Sequence, residues 1–407
     1  MRAREGARAC RRMGKRGVRK SKKEERMRLL HISDLHLGKR LNEHDLYEDQ
    51  AYLLKQIIKA VSENQVDALL IAGDIFDRSI PSIGAVELLD GFLTELSALL
   101  VPVFAISGNH DSPERLGFLK GFLKKSGIYL TTEYEGGLEP VILSDEYGEA
   151  AIYSLPFVKP SMLTAYLAEE ERASYDSAVH AILKRESPDP SRRNILVAHQ
   201  FVTGAGVELI RSESESVNVG GVDNVDVSAF ADFDYTALGH IHREQQVGTE
   251  RVRYSGAPYP YSLSEADSVK GGILVELKEK GTLHCEKIVF RPLHAVRVLK
   301  GRLKELLKPE YVEQPLDYIH MILTDEERIA DAASMVKAVY PNLLRLEYDT
   351  GRKKAAGLPE YTGGEIARKT PEELFFTFFQ AMNQSVPSAE QAGLMREIFE
   401  EEGQEGS

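Results

Sequence analysis

Two polar motifs, each following a short apolar run, constrain this 407-residue chain more than any other feature. The motif Gly-Asp-Ile-Phe-Asp at 73–77 follows the run Ala68–Ala72, and Gly-Asn-His-Asp at 108–111 follows Val103–Ile106. Apolar runs of this length predict buried strands. Because open α/β sheets place their chemistry at the carboxyl ends of strands, we expect the two motifs to meet at one functional edge.

Three further apolar runs, at 29–33, 194–198 and 235–238, lead into the same residue types. Together the five predicted strand ends carry seven candidate metal ligands: Asp34, His36, Asp74, Asn109, His199, His240 and His242. Each residue alone would more often be structural, but such a group would be costly to bury without a cation. The pattern therefore predicts a metal site, and four imidazoles suit Mn, Fe or Zn better than Mg.

The length of 407 residues predicts two or three domains, and the composition, 43% hydrophobic and 28% charged, is ordinary for a soluble globular protein. No apolar run approaches the about 18 residues of a membrane helix, and no signal-peptide pattern is present. The two cysteines, Cys10 and Cys285, are too few for a disulfide framework. We therefore expect a cytoplasmic protein that does not associate with membranes.

The net charge of −12 is unevenly distributed along the chain. Residues 1–26 carry twelve Lys or Arg and three Glu, a net of +9, which leaves −21 for the remainder. So acidic a body argues against broad adhesion to nucleic acid, and DNA would have to be held locally, by metals or by another subunit. We expect residues 1–26 to be a disordered basic extension. A nucleic-acid-binding arm is one interpretation, but we favour Met27 as the true start, because the first predicted strand follows it directly.

Strands and helices alternate over the first third of the chain. Apolar spacing predicts helices over 48–63 and 82–99, which with the strands indicates βαβ units and a largely parallel sheet. Further on we predict a hairpin over 138–155, a helix over 164–184 and strands at 251–255, 272–277 and 284–290. A small α+β unit follows, with strands at 296–298, 318–323 and 343–348 and helices at 303–307 and 327–339.

Two short helices close the chain behind a segment rich in Gly, Lys and Arg. Thr370–Glu373 and Ser388–Gln391 have the pattern of helix-capping boxes. The helices carry an apolar stripe that includes Leu374, Phe375, Phe378, Phe379, Leu394 and Ile398. About 35 residues are too few for an independent core, so this stripe must pack against something else.

The five motifs in this order resemble the calcineurin-like metallophosphoesterases. The resemblance implies an α/β fold, a β-sandwich flanked by helices, with two divalent ions. It implies that one ion is held by Asp34, His36, Asp74 and His242, and the other by Asp74, Asn109, His199 and His240. His110 follows a ligand without being one, so we predict it to be a general acid or charge stabiliser, with Asp77 orienting it.

Longer stretches are similar to the SbcD family, the nuclease subunits of bacterial SbcCD complexes. The similarity runs from Met27 almost to the end and includes 47–50, 219–223 and, in that family's capping domain, 315–347. It implies a manganese-dependent nuclease with exonuclease action from 3′ ends of duplex DNA and endonuclease action on single strands and hairpins. It also implies a homodimer bound to the coiled-coil ATPase SbcC, acting in DNA recombination, replication and repair.

On this basis we divide the chain into five segments: an extension 1–26, a nuclease domain 27–291, a capping domain 292–349, a linker 350–369 and C-terminal helices 370–402. We expect the apolar stripe of those helices to bind the base of the SbcC coiled coil in a helix-in-groove mode, for which folding back onto the nuclease domain is the alternative. Predicted DNA contacts are Lys39, Arg40 and Arg243, for which solvated surface charge is the alternative interpretation.

Two other functions are compatible with the same motifs. A small-molecule metallophosphodiesterase or phosphatase would share the metal core, but it does not require the capping unit or the terminal helices. A catalytically inactive scaffold subunit would share the fold, but the complete ligand set argues against it.

Overall fold

The computed structural model describes residues 26–204, 209–215, 223–309, 312, 314–349, 370–383 and 386–405. Predictions for residues 1–25, for the linker 350–369 and for most of the stretch 219–223 lie outside the described residues. The chain divides into two compact units. The first unit consists of the chain up to Lys39 together with Asp45–Tyr261 and Ser268–Leu293, and the second consists of Arg40–His44, Ser262–Asp267 and the chain from His294 onward.

The strands in chain order are β1 (Met27–Ile32), β2 (Arg40–Leu41), β3 (His44–Asp45), β4 (Ala68–Ile71), β5 (Val103–Ile106), β6 (Ile128–Thr131), β7 (Val141–Asp145), β8 (Gly148–Leu155), β9 (Arg193–His199), β10 (Phe201–Thr203), β11 (Asn224–Asp226), β12 (Tyr235–Gly239), β13 (Gln245–Val247), β14 (Thr249–Tyr254), β15 (Gly271–Leu277), β16 (Leu283–Val289), β17 (Val296–Gly301), β18 (Tyr318–Leu323) and β19 (Leu343–Tyr348). The helices are α1 (Tyr47–Glu63), α2 (Ile83–Ala98), α3 (Pro113–Leu116), α4 (Lys120–Leu123), α5 (Tyr175–Glu186), α6 (Leu303–Leu306), α7 (Ala332–Val339), α8 (Pro371–Asn383) and α9 (Ala389–Glu405). No helix within the described ranges is long and apolar enough to cross a bilayer.

Two mixed sheets, each of six described strands, form the first unit. In one sheet the order is β16-β15-β1-β4-β5-β6, and β1, β4, β5 and β6 run parallel, as the βαβ pattern predicted. In the other the order is β13-β14-β12-β9-β8-β7, with the inner four strands parallel. The predicted hairpin is the antiparallel pair β7–β8. Parallel strands put their carboxyl ends, and therefore the motifs, at the same end of each sheet.

The core confirms the predicted sandwich. One buried cluster joins Leu29, Leu70 and Phe104 of the first sheet to Ile195 and Ala237 of the second, so the two sheets pack face to face. A second cluster covers the other face of the second sheet with apolar side chains of α5. Helices thus flank the sandwich, as in the calcineurin-like fold.

Two helix predictions were wrong at their starts. The helix predicted over 164–184 begins only at Tyr175, because Ser174 caps it: its Oγ accepts a hydrogen bond from the Ser177 amide at 3.0 Å, and the Ser177 hydroxyl accepts one from the Ser174 amide at 2.9 Å. Two short 3₁₀ turns precede it. The helix predicted over 327–339 begins at Ala332, because Asp331 adopts a left-handed φ of 55° that a helix cannot contain.

In the second unit, β17, β18 and β19 form a parallel sheet covered on one face by α6 and α7. Both predicted capping boxes in the C-terminal helices are confirmed. The Glu373 amide donates to Thr370 Oγ1 at 3.2 Å and Glu373 Oε2 accepts from the Thr370 amide at 2.9 Å, and Ser388 and Gln391 make the same pair of bonds.

Candidate metal centre

Five strand ends from both sheets meet at one end of the sandwich. Asp34 and His36 follow β1, Asp74 follows β4 and Asn109 follows β5 in the first sheet. The second sheet supplies three histidines, at the end of β9 and just after β12. The loops are tied together by main-chain bonds, since the Asp34 amide donates to Gly73 O and the His36 amide to Asp74 O, both at 3.0 Å. The sequence predicted that the ligands meet at one edge of a sheet. In the structure they lie at strand ends of two sheets.

The backbone is strained where the predicted ligands lie. Of ten described non-glycine residues with positive φ, four are predicted ligands: Asp34 (54°), His36 (42°), Asp74 (48°) and His240 (104°). Such conformations are unfavourable for residues with a Cβ and cluster at functional sites. Close approach also requires glycine at two positions, because a Cβ on Gly108 would lie 2.1 Å from Asp74 Oδ1 and one on Gly239 would lie 1.9 Å from Ala72 O.

One group of donors is built around His36 and His242. Their Nε2 atoms lie 3.1 Å apart, and the donor atoms of Asp34, His36 and His242 all lie within 4.8 Å of one another. His36 Nε2 is 3.7 Å from Asp74 Oδ2. The Ser214 hydroxyl lies 2.8 Å from His242 Nδ1, which leaves Nε2 of that ring directed at the group.

A second group is built around His199. Its Nε2 lies 3.4 Å from Asp74 Oδ2 and 3.0 Å from Asn109 Oδ1, and the same amide oxygen lies 2.9 Å from His240 Nδ1. The other ring nitrogen of His199 lies 2.8 Å from the carbonyl of Ala72 and so fixes the ring orientation. Asp34, Asp74 and His199 also have donor atoms within 4.8 Å of one another.

Burial controls the charge of these groups. It lowers the pKa of His36 well below the usual value and that of His240 to about 3, so both imidazoles are neutral and able to bind a metal. Burial also raises the pKa of Asp34. For Asp74 and His199 burial is outweighed by their mutual attraction, which holds the pKa of Asp74 well below its usual range and raises that of His199 to about 9.

These donors fit a divalent metal ion. Six of the seven predicted ligands are buried, and Asn109 is half-buried. Two imidazole nitrogens that face each other at 3.1 Å, beside two carboxylates, form an N/O donor set of the kind that binds transition metals. The His and Asp groups are therefore compatible with a divalent metal site.

His110 lies beside both donor groups. Its amide donates to Asp74 Oδ1 at 2.9 Å, and its ring is edge-on to that of His36, with centroids 4.9 Å apart. Its Nδ1 lies 2.9 Å from the main-chain carbonyl of Asp77, so Nδ1 is the donor and Nε2 is the nitrogen directed elsewhere. The Asp77 carboxylate has a different partner, Lys39, whose Nζ lies 2.7 Å from Oδ1.

The three predicted DNA contacts differ in burial and in the unit to which they belong. Lys39 is half-buried in the first unit and paired with Asp77. Arg40 is exposed, belongs to the second unit and donates to the Glu43 carbonyl. Arg243 directly follows His242 and is half-buried.

Several residues that support the donor groups were missed in the sequence. The buried Asp111 carboxylate accepts from the amides of Ile75 (3.0 Å), Phe76 (2.8 Å) and Gly108 (2.9 Å), and so joins the two central motifs. Burial, and then the neighbouring Asp74 charge, raises the pKa of Asp111 to about 6. Its place in the Gly-Asn-His-Asp motif was a visible signal. Glu215, which accepts from the His242 amide at 2.8 Å, had none.

The apolar stripe of the C-terminal helices divides into two sets. Leu374, Phe375 and Phe379 are half-buried, and the Phe375 ring lies 5.7 Å from that of Phe379 and 6.5 Å from that of Phe399 across the helix pair. The other three side chains are exposed: Phe378 by 53%, Leu394 by 59% and Ile398 by 39%.

Two family models match the chain. The model of the calcineurin-like phosphoesterases matches residues 27–244. The model described as the type 5 capsule protein repressor C-terminal domain matches residues 289–383.

Curated relatives extend the similarity over most of the chain. A protein of Staphylococcus epidermidis, named as the SbcD subunit of the nuclease SbcCD, is 32% identical over 325 residues, 79% of this chain and 85% of the relative. A protein of the same name from Staphylococcus saprophyticus is 32% identical over 329 residues, 80% of this chain and 85% of the relative. Among solved structures, the GAP50 anchor of the inner membrane complex of Plasmodium superposes with a TM-score of 0.40 and 13% identity, covering 82% of this chain and 98% of that one.

Proposed function

The chain belongs to the calcineurin-like phosphoesterases and, within them, to the SbcD family, and from that premise we propose that it is the metal-dependent DNA nuclease subunit of an SbcCD complex. It is a metal-dependent phosphodiester hydrolase. We further propose exonuclease action from 3′ ends of duplex DNA and endonuclease action on single strands and hairpins, in recombination, replication and repair.

The observation that carries the proposal is the position of the Asp74 carboxylate. A single oxygen, Oδ2, lies 3.7 Å from His36 Nε2 and 3.4 Å from His199 Nε2, so it faces both donor groups. A carboxylate shared in this way would be a ligand common to two ions, as in two-metal phosphoester sites. We therefore assign one ion to Asp34, His36, Asp74 and His242, and the other to Asp74, Asn109, His199 and His240.

Divalent ions bound there would neutralise the phosphodiester oxygens and increase the acidity of the attacking water. The chain's own residues supply the remaining steps. His110 donates from Nδ1 to the Asp77 carbonyl, so Nε2 of the doubly protonated ring is the nitrogen that can give a proton to the leaving sugar oxygen and be left with a lone pair. The Ser214 hydroxyl and the Ala72 carbonyl fix the rings of His242 and His199, so these ligands are preorganised.

The finer features of the proposal rest on the family. We propose manganese as the metal, DNA as the substrate, a cytoplasmic location, and a homodimer bound to the ATPase SbcC. Arg243, next to a predicted ligand, is the DNA contact that we retain within the first unit.

The exposed apolar side chains of α8 and α9 are the surface that we propose for the SbcC coiled coil, because three large apolar groups on one helix pair remain in contact with water.

The test is manganese-dependent cleavage of plasmid, hairpin and oligonucleotide DNA beside cyclic and aryl phosphodiesters, with and without SbcC. We expect DNA cleavage that requires the metal and is stimulated by the partner. Turnover of only the small phosphodiesters would identify a small-molecule enzyme, and no turnover of any substrate would identify a scaffold subunit. Either result would overturn the proposal.

A further inference from the structure

Lys39 and Asp77 form a sheltered ion pair beside the proposed metal centre. The Lys39 ammonium lies 2.7 Å from Asp77 Oδ1, and the two side chains are only 17% and 10% exposed. The ammonium also lies 5.9 Å from the centre of the Tyr261 ring, which is itself edge-on to His36 at 5.4 Å. Lys39 is therefore directed into the motif end of the sandwich and does not extend from the surface.

The partner of Lys39 belongs to a third group of potential metal donors. His36, Asp77 and His110 offer donor atoms that all lie within 4.8 Å of one another. On the His36 ring the nitrogen involved is Nδ1, which lies 3.7 Å from Asp77 Oδ1 and, within the described part of the chain, is a buried atom that makes no hydrogen bond. Two imidazoles and a carboxylate are a common ligand set for zinc.

We propose that Lys39 keeps this third group free of metal by occupying the Asp77 carboxylate with a positive charge. The inference rests on the proposed function only in taking His36 and His110 to be part of the reaction centre. A lysine ammonium is a competitor that a divalent ion must displace from Oδ1, and its charge repels an ion at that distance. The opposite nitrogen of His36, Nε2, faces His242 and Asp74, so an ion at Nδ1 would add to the other two and release the Nδ1 proton to solvent.

Metal in the third group would be harmful to the reaction. It would draw the His110 ring into coordination: an ion on Nε2 would replace the proton that this nitrogen is proposed to give, and an ion on Nδ1 would break the bond to the Asp77 carbonyl that orients the ring. Because Nδ1 and Nε2 of His36 belong to one ring, metal at Nδ1 would also withdraw electron density from Nε2, which is the proposed ligand of another ion. Lys39 is accordingly a residue that determines where metal binds, and not a DNA contact.

The experiment compares Lys39→Met with wild type by equilibrium dialysis against Zn²⁺ alone and by zinc inhibition of manganese-dependent cleavage. Lys39→Met should bind one more Zn²⁺ per chain than wild type, and zinc should inhibit it at a concentration lower by about tenfold or more. The double variant Lys39→Met/Asp77→Asn should lose the additional ion, and Lys39→Arg should behave as wild type.

The matched control is Arg78→Met, which removes a cation from the same carboxylate. Arg78 Nε lies 3.5 Å from Asp77 Oδ2, but that side chain is 77% exposed, so its loss should change neither readout by more than about twofold. Melting temperatures of all variants establish that they fold.

Unchanged zinc binding and inhibition in a folded Lys39→Met would overturn the inference. So would a loss of DNA affinity with a weaker salt dependence as the only effect, because that is the signature of a phosphate contact. Dialysis requires no turnover, so it tests Lys39 even if wild type cleaves no DNA, a result that would instead overturn the proposed function.

Discussion

The motif end of the sandwich and the C-terminal helix pair differ in how far their candidate binding residues are exposed to solvent. At the motif end the predicted ligands are almost all buried, and main-chain bonds and Asp111 tie their loops together. In the helix pair, large apolar side chains such as Phe378 and Leu394 remain exposed. The first region is suited to a small cation, whereas the second is suited to another protein surface.

This difference suggests a different binding function for each region: buried polar groups are typical of a cation site, and exposed apolar groups are typical of a protein-binding surface. A cation would offset the repulsion of buried like charges and facing imidazoles, so we expect the binding partner of the motif end to be small and positive. Covering the exposed aromatic and aliphatic groups would bury apolar area, so we expect the binding partner of the helix pair to be large and apolar. Substitutions in one region should therefore leave the function of the other intact.

The largest expected effect is that of Asp74→Ala. Both proposed ions lose a ligand, so turnover should fall by about a thousandfold or more and bound manganese should be lost. Turnover and elemental analysis are the measurements, with Asp90→Asn, a carboxylate on α2, as the matched control. An Asp74→Ala variant that kept both manganese and turnover would show that the motif end is not the reaction centre.

His110→Asn should separate catalysis from metal binding within the buried region. Loss of the proton donor should reduce turnover by about a hundredfold, less than the loss in Asp74→Ala, while bound manganese is unchanged. Metal content and turnover are measured on the same preparation. Loss of metal in this variant would make His110 a ligand and contradict its assigned role.

Substitutions of the exposed apolar side chains of the helix pair should affect partner binding and leave cleavage unchanged. Phe378→Asp combined with Leu394→Asp should abolish co-purification with SbcC and leave manganese-dependent cleavage of short DNA by the free subunit within about twofold of wild type, because both side chains are exposed. Phe375→Asp is the informative contrast. Its ring packs against Phe379 and Phe399, so the substitution should disrupt the helix pair itself. Retained SbcC binding by the first variant would place the contact elsewhere.

The smallest expected effect is the pH dependence of metal affinity. The Asp74 carboxylate raises the pKa of His199 to about 9 in the metal-free protein, so a proton must leave His199 before it can ligate. Apparent manganese affinity should therefore rise by about tenfold per pH unit below that pKa. Manganese titrations at about pH 6.5 and about pH 7.5 measure this change in affinity. Equal affinities at the two pH values would contradict the protonated state of His199.

The sequence predicted what depends on local pattern. Apolar runs located β1, β4, β5, β9 and β12, and the polar residues after them were the candidate ligands. The start of α5 was predicted too early, because the apolar pattern before Ser174 is ambiguous. The N-cap at Ser174 determines where this helix begins. Contacts between distant segments had no local signal. Lys39 was predicted to contact DNA, with solvated surface charge as the alternative, and no local pattern indicated its partner Asp77, 38 residues away.

The most direct test of the central claim is the manganese anomalous signal of crystals grown with Mn²⁺. We expect two peaks about 3.5–4 Å apart, with Asp74 between them. His36 and His242 should flank one peak, and His199 and His240 the other. A peak in wild type between Asp77 and His110 would contradict the role proposed for Lys39, and a single peak would contradict the two-ion assignment.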